Sequence, residues 1–283
     1  MSGVSIVLPA KNEEESIGPV IQSICRLLPQ AEVIVIDDGS EDGTANIAQC
    51  AGARVISHRY SKGNGAAIKS GARAATGDVV VFMDADGQHK PEDIHRLLEK
   101  IEEGYDLVVG ARVSGSQASV GRGLANRFYN KLASFMTGHK VEDLTSGFRA
   151  VRRKMFLEFL YLLPNGFSYP TTSTMAFFRA GYSVTYIPIT ALTRNGASHI
   201  KIIRDGIRFL LIIFKIGTLY SPLKLFAPLA FSVFSIGLGY YAYTYFSVGR
   251  FTNMSALMFT TSLVIFMVGL VSEQITVLMY REK

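Results

Sequence analysis

An α/β fold with a mostly parallel sheet, followed by a pair of membrane-crossing helices, is what this 283-residue sequence predicts. Three observations carry the expectation. Short apolar runs alternate with helical patterns as far as about residue 112. Those runs are continuous, as in "VIVI" and "VVVF", which suits strands buried on both faces. Residues 207–280 are also far richer in apolar side chains than residues 1–200, and the excess falls in two uncharged stretches.

Residues 4–8 read as the first strand, so no signal-peptide pattern is expected at the N-terminus. Helical periodicity covers 14–28, 44–51, 65–75 and 91–103. Strand-like runs fall between these segments at 33–36, 54–57, 79–83 and 107–109. Such alternation calls for a parallel sheet covered by helices on both sides. Ligands collect at the carboxyl ends of strands in open α/β sheets. Four polar clusters stand at such ends: segment 9–13, Asp37-Asp38, Asp84-Ala85-Asp86 and Gly110-Ala111-Arg112. The expectation is that all four share one edge of the sheet.

Residues 228–248 and 254–272 carry no charge, and each is long enough to cross a hydrocarbon core of roughly 30 Å. The connector 249–253 is short, so the two spans form a hairpin. Arg204, Arg208, Lys215 and Lys224 precede the first span, Arg281 and Lys283 follow the second, and only Arg250 lies between them. This asymmetry predicts an integral membrane protein with both chain ends in the cytoplasm. In segment 200–217, Lys201, Arg204, Arg208 and Lys215 share one helical face, with Ile203, Ile207, Leu210, Leu211 and Phe214 elsewhere. That suits an amphipathic helix lying in the membrane interface, or one packed on the globular domain. The expected division is therefore a domain at 1–199, interfacial helices at 200–226 and the hairpin at 227–280.

The net charge of +6 points to phosphorylated ligands or anionic lipid. No run of five Lys/Arg occurs, so nucleic acid is not an expected partner. Cys25 and Cys50 fall inside predicted helices at no metal-ligand spacing and are expected to be buried thiols in a reducing compartment. Gly63-x-Gly65 tempts one toward a dinucleotide fingerprint. Ile68 stands where the third glycine is needed, and the segment follows the third strand, so a nicotinamide-dependent oxidoreductase is disfavoured.

Asp84 and Asp86, one residue apart beyond a buried strand, suit a hard divalent cation holding a diphosphate, with the Gln88 carbonyl as a further oxygen ligand. His89 is expected to face solvent. Asp37 or Asp38 could accept hydrogen bonds from a nucleobase or ribose. The same residues also make good turns, with Asp42 or Thr44 as a helix cap. Glu13 holds a similar place after the first strand, while Glu14 and Glu15 suit a helix N-terminus. Lys62 and the N–H groups of a helix starting at Gly65 could meet a phosphate.

The series "PAKNEEESI", "VIDDGSEDGT", "KGNGAAIKSG", "DADGQH", "GAR", "TSGFRA" and "RNGASH" spans roughly residues 4–200 in order. By this series the chain resembles the family 2 glycosyltransferases of GT-A fold, and among them the polyprenyl-phosphate group that includes dolichol-phosphate mannose synthases. The resemblance implies a membrane-bound inverting enzyme of a bacterial or archaeal cell membrane, moving a hexose from a GDP- or UDP-sugar to polyprenyl phosphate. It implies that Pro9, Glu13, Asp37, Asp38, Lys62, Gly65, Asp84 and Ala85 hold the donor. Asp84, Asp86 and Gln88 would hold Mg2+ or Mn2+. Arg112, Arg127, Arg194 and Ser198 would hold the acceptor phosphate, with Arg122 and Lys131 as alternatives to Arg127. Asp86 and Arg112 would be the catalytic pair. His199 stands where the family usually has Lys. A homo-oligomer is compatible with the resemblance. Other acceptors, and a non-catalytic scaffold, are the competing expectations. A processive synthase needs a Trp-containing motif, and this chain has no Trp.

Overall fold

Strands β1 (Val4–Ala10), β2 (Glu32–Asp37), β3 (Arg54–Ser57), β4 (Val79–Phe82), β5 (Leu107–Arg112), β6 (Arg149–Arg152) and β7 (Val184–Ile189) form one sheet in the order β3-β2-β1-β4-β6-β5-β7. In this computed structural model the described residues are 3–113, 120–166, 168–190, 218 and 220–279, with backbone alone at 120–126 and 248. The chain divides into two compact units, Met1–Ile200 and Lys201–Lys283.

Strands β1 to β4 pair in parallel, in register Val7↔Ile34 and Val7↔Phe82. Helices α1 (Ile17–Leu27), α2 (Thr44–Cys50) and α3 (Asn64–Ala74) connect them. Strands β1, β2 and β4 are buried over most of their length, as their aliphatic runs require, while β3 at the sheet edge is partly exposed. Strand β6 enters between β4 and β5 and is antiparallel to both, so β5 again runs parallel to β4. The carboxyl ends of β1, β2, β4 and β5 therefore share one edge. The sequence pattern indicated neither β6 nor β7. Strand β6 is only four residues long and carries Arg at both ends, so it lacks the apolar run that marks the others.

Helix α4 (Asp93–Glu102) sends Leu97, Leu98 and Ile101 onto one face of the sheet, against Val108, Ala150 and Ile187. On the other face α7 (Tyr169–Arg179) bonds Arg149, and α5 (Val120–Thr137) packs on α7. The short α6 (Arg153–Glu158) follows β6 directly.

Both cysteines are free and lie in helices, but the expected burial is corrected: Cys25 is half-buried and Cys50 exposed. Cys50 is the last residue of α2, beyond that helix's buried positions Thr44 and Ala48.

In the second unit, α8 (Pro222–Val248) and α9 (Asn253–Met279) form an antiparallel hairpin of 27-residue helices, long and apolar enough to cross a membrane. Its seam repeats every seven residues. On α9 it consists of Ser255, Ser262, Gly269 and Thr276, all buried. On α8 it includes Ala230, Gly237 and Thr244. Small residues let the backbones close, because lipid gives helices no hydrophobic reason to associate. Ser262 donates across the seam to the Ala230 carbonyl at 2.8 Å. At the open end, the Glu273 carboxylate accepts from Ser221 Oγ and the Leu223 N–H, both 3.1 Å, and so caps α8. The large apolar side chains, Phe231, Phe246 and Leu263 among them, face outward. The proposed interfacial segment 200–217, and with it Arg194, Ser198 and His199, lies outside the described residues.

Candidate active site

A cleft of about 370 Å³ opens at the carboxyl edge of the sheet, lined from three strand ends. Pro9 and Ala10 come from the end of β1 and Lys11 and Glu13 from beyond it, Asp38 from beyond β2, and Asp84, Ala85 and Asp86 from beyond β4. Ser61, Gly63, Asn64 and Ala67 close it from the start of α3.

The first two loops are locked to each other. Glu13 N–H donates to Thr44 Oγ1 at 2.8 Å, Glu41 N–H to Asn12 Oδ1 at 3.0 Å, and Gly43 N–H to Glu14 Oε2 at 2.9 Å. Glu14 thus meets a helix N-terminus as expected, but that of α2. Ser16 Oγ ties this assembly to the acidic loop by donating to the Ala85 carbonyl at 2.8 Å.

Asp38 is buried, and its two oxygens accept four hydrogen bonds within the chain. His58 Nδ1 lies at 2.7 Å, and Ser61 Oγ, Lys62 N–H and Gly63 N–H each at 2.8 Å. A carboxylate has about four lone-pair sites, so the carboxylate is spent on folding loop 61–63. Burial would raise its pKa, but these hydrogen bonds outweigh burial and hold it below the usual range. Asp37 likewise accepts from Ser40 N–H at 3.0 Å and shapes its own turn.

The free N–H groups expected at Gly65 are not available, which corrects that expectation. Gly65 N–H donates to the Gly166 carbonyl at 3.2 Å and Ala66 N–H to the Asn165 carbonyl at 2.9 Å. A Cβ on Gly65 would stand 2.1 Å from the Pro164 carbonyl oxygen, so the glycine serves backbone contact with loop 163–166. Lys62 extends to 5.7 Å over the Tyr60 ring.

Asp84 and Asp86 both face the cleft. Asp86 Oδ1 accepts the Gln88 N–H at 3.1 Å, which turns the chain after the motif. His89 is not solvent-facing as expected. It is buried, stacked on Phe148 at 5.0 Å, and its Nε2 lies 3.6 Å from Asp84 Oδ2. The Phe148 ring takes the place of water there. Two carboxylates on an open cleft are oxygen donors of the kind a hard divalent cation selects, so Asp84 and Asp86 fit the expected metal, and Gln88 follows them, its N–H bonded to Asp86.

Arg112 ends β5. Its Nε donates to Asp143 Oδ2 at 2.8 Å, and its Nη2 to Asp143 Oδ1 at 3.0 Å and Thr145 Oγ1 at 2.6 Å. Burial lowers the guanidinium's pKa, but Asp143's hydrogen bonds and charge, and then the charge of Asp84, carry it above its usual value. Asp84 stands against Gly147, two residues from the Thr145 that holds Arg112, so both side chains meet the same loop. Arg127 is exposed on α5.

Several residues here had no role assigned from the sequence, although Thr145, Gly147 and Arg149 belong to "TSGFRA". Asp143 and Thr145 hold Arg112. Gly147 leaves room for Asp84, whose Oδ2 would lie 3.1 Å from a Cβ at that position. Arg149, fully buried, donates to the Pro170 carbonyl at 3.0 Å, to Ser173 Oγ at 2.8 Å and to the Ser146 carbonyl. The acidic pair Glu142-Asp143, one residue before "TSGFRA", was the available signal for Asp143.

Residues 5–160 match Glycosyl transferase family 2, and residues 221–278 match the GtrB C-terminal hairpin. Glycosyltransferase AglJ of Haloferax volcanii is 31% identical over 96% of this chain and 93% of its own length. Dolichyl-phosphate hexose transferase of the same organism is 32% identical over 72% and 89%, and polyprenol monophosphomannose synthase of Mycolicibacterium smegmatis 33% over 67% and 77%. Among solved structures, glucosyl-3-phosphoglycerate synthase from Mycobacterium tuberculosis with Mg2+ and UDP is similar. It is 26% identical with a TM-score of 0.59, over 75% of this chain and 79% of that one. The same enzyme with Mn2+, UDP and phosphoglyceric acid is 27% identical with a TM-score of 0.57, over 75% and 78%.

Proposed function

The chain belongs to glycosyl transferase family 2, and on that premise we propose that it moves a hexose from a nucleotide sugar to a polyprenyl phosphate at a cytoplasmic membrane surface. The observation that carries this reading is the meeting of opposite charges at one edge. The Asp84–Asp86 cleft lies beyond β4, Arg112 ends β5, and both meet the 143–147 loop, Arg112 through Asp143 and Thr145 and Asp84 against Gly147. The matched relatives named for polyprenyl or dolichyl phosphates, and the hairpin in the same chain, support the acceptor class.

The acceptor phosphate oxygen is already anionic near neutral pH, so the reaction needs no strong general base. An anion must instead approach a sugar that is attached to another anion. Arg112, kept in place by Asp143 and Thr145 through Nε and Nη2, offers its Nη1 donors and its charge to the acceptor phosphate, and Arg127 on α5 is a second cation for it. The 9–13 segment, Ser61 and Asn64 enclose the nucleoside side of the cleft. The protein's main contribution is alignment of the phosphate oxygen with the anomeric carbon. The new C–O bond forms as the bond to the nucleoside diphosphate breaks, the electron pair leaves with the diphosphate, and the anomeric centre inverts. A divalent cation held by Asp84, Asp86 and Gln88 would supply charge neutralisation to that leaving group.

The test is a donor screen with purified full-length protein and a short polyprenyl phosphate, read by mass spectrometry. A polyprenyl-phosphate hexose should form with one GDP- or UDP-sugar and should vanish in Asp86→Ala, with membrane insertion intact. Undiminished transfer by that variant, or no lipid product with any donor, would overturn the reading.

A further inference from the structure

Helix α5 turns two phenylalanines away from the core. At about 100° per residue, Arg127, Lys131, Phe135, Phe128 and Leu132 occupy one arc of about 140°. Tyr129, Ala133, Met136 and Thr137 occupy the facing arc and are all buried. Phe128 is 57% and Phe135 62% exposed. Scattered exposed apolar residues are ordinary on a protein surface. Here, however, two large rings lie seven residues apart on one face, with Leu132 between them and two cations along one side.

Along the chain from β5 to the end of α5, the charge has a single sign. From residue 107 to residue 141 the chain contains Arg112, Arg122, Arg127, Lys131 and Lys140 and no acidic residue. Arg112 is held by Asp143 and Lys140 by Glu142, whereas Arg127 and Lys131 have no ion pair among the described residues. Rings directed outward beside unpaired cations suit one kind of surface. The rings enter the boundary between headgroups and acyl chains while the cations meet anionic headgroups. A lipid surface is at hand for this chain, because it carries two helices long and apolar enough to cross a membrane.

We propose that the Arg127–Lys131–Phe128–Phe135 face of α5 is a membrane-docking surface that inserts its two rings into an anionic lipid interface. Docking there would be a contact of the catalytic unit itself with lipid, additional to the hairpin. It rests on the chain being a membrane protein and not on the identity of the reaction. An optical readout therefore separates its failure from failure of the transferase reading.

The absence of Trp makes each introduced indole the sole one. Phe128→Trp and Phe135→Trp, with Glu99→Trp as control, are reconstituted as full-length protein in nanodiscs. Glu99 is exposed on α4, across the sheet from α5 and α7. Circular dichroism confirms folding of each variant. The discs carry phospholipids brominated high on the acyl chain, with or without phosphatidylglycerol. The expected result is blue-shifted emission and strong bromine quenching at 128 and 135, none at 99, and weaker quenching without the anionic lipid. Solvent-like emission at 128 and 135 would overturn the proposal. So would blue-shifted but unquenched emission, which would mean that a second copy or another segment of this chain covers the face. Equal quenching at 99 would also overturn it, and quenching indifferent to phosphatidylglycerol would remove its electrostatic part.

Discussion

Asp143 has little access to water and survives there because Arg112 meets both of its oxygens. Removing one partner of a buried pair leaves the other uncompensated, so Asp143→Ala should cost about 3 kcal/mol, seen as a lower denaturant midpoint. The same substitution frees the Arg112 fork, so the KM for lipid phosphate should rise more than that for the nucleotide sugar. Equal rises would mean that Asp143 only maintains the fold. Burial raises the Asp143 pKa, but the Arg112 hydrogen bonds and charge and two backbone N–H groups pull it below the usual value. A carboxylate depressed in the folded state stabilises above its unfolded pKa, and that stability is lost as pH falls through the folded value. Asp143→Asn should therefore flatten the acid limb of the stability profile, measured by unfolding at a series of pH values below the usual Asp range. At this scale "DADGQH" and "GAR" were legible because one follows an apolar strand and the other ends one. The tie between Arg112 and Asp143 was not, because its partners are 31 residues apart and one of them sits in a loop.

Elements with a local signature were read correctly and those without one were missed. Strand β4 announces itself by four consecutive apolar residues, and α1 to α4 by their periodicity. Strand β6, with "RAVR", has two charged ends and gains its place only by pairing with β4 and β5, a long-range fact. The start of α3 shows the same limit. Its glycines suggest an anion cradle, yet the N–H groups are used by loop 163–166, which lies about a hundred residues further along the chain. That contact yields a prediction about the element. A methyl at Gly65 would meet the Pro164 oxygen at 2.1 Å, so loop and helix must separate. Gly65→Ala should destabilise by about 1–3 kcal/mol, while Asn64→Ala next to it should cost less. Thermal unfolding of the two variants measures the difference, and an unperturbed Gly65→Ala would mean that the loop yields freely.

For the molecule as a whole, the distribution of charge bears on which side of the membrane the chemistry takes place. Positive residues flank the hairpin at both chain ends, with Arg250 alone in its connector, which favours a cytoplasmic first unit. Cys50 is exposed, so its accessibility to a thiol reagent reports the side on which the first unit lies. The connector between α8 and α9 should then face the opposite side, with Thr252 at its end. In intact cells producing Thr252→Cys in a Cys25→Ser, Cys50→Ser background, a membrane-impermeant maleimide should label position 252. Protein carrying only Cys50 should resist the reagent until the cells are permeabilised. The reverse pattern would invert the topology and place the cleft on the side where nucleotide sugars are scarce. Labelling of both in intact cells would mean that the hairpin does not span the bilayer, and the two heptad seams of α8 and α9 would then have to pack within an ordinary protein core.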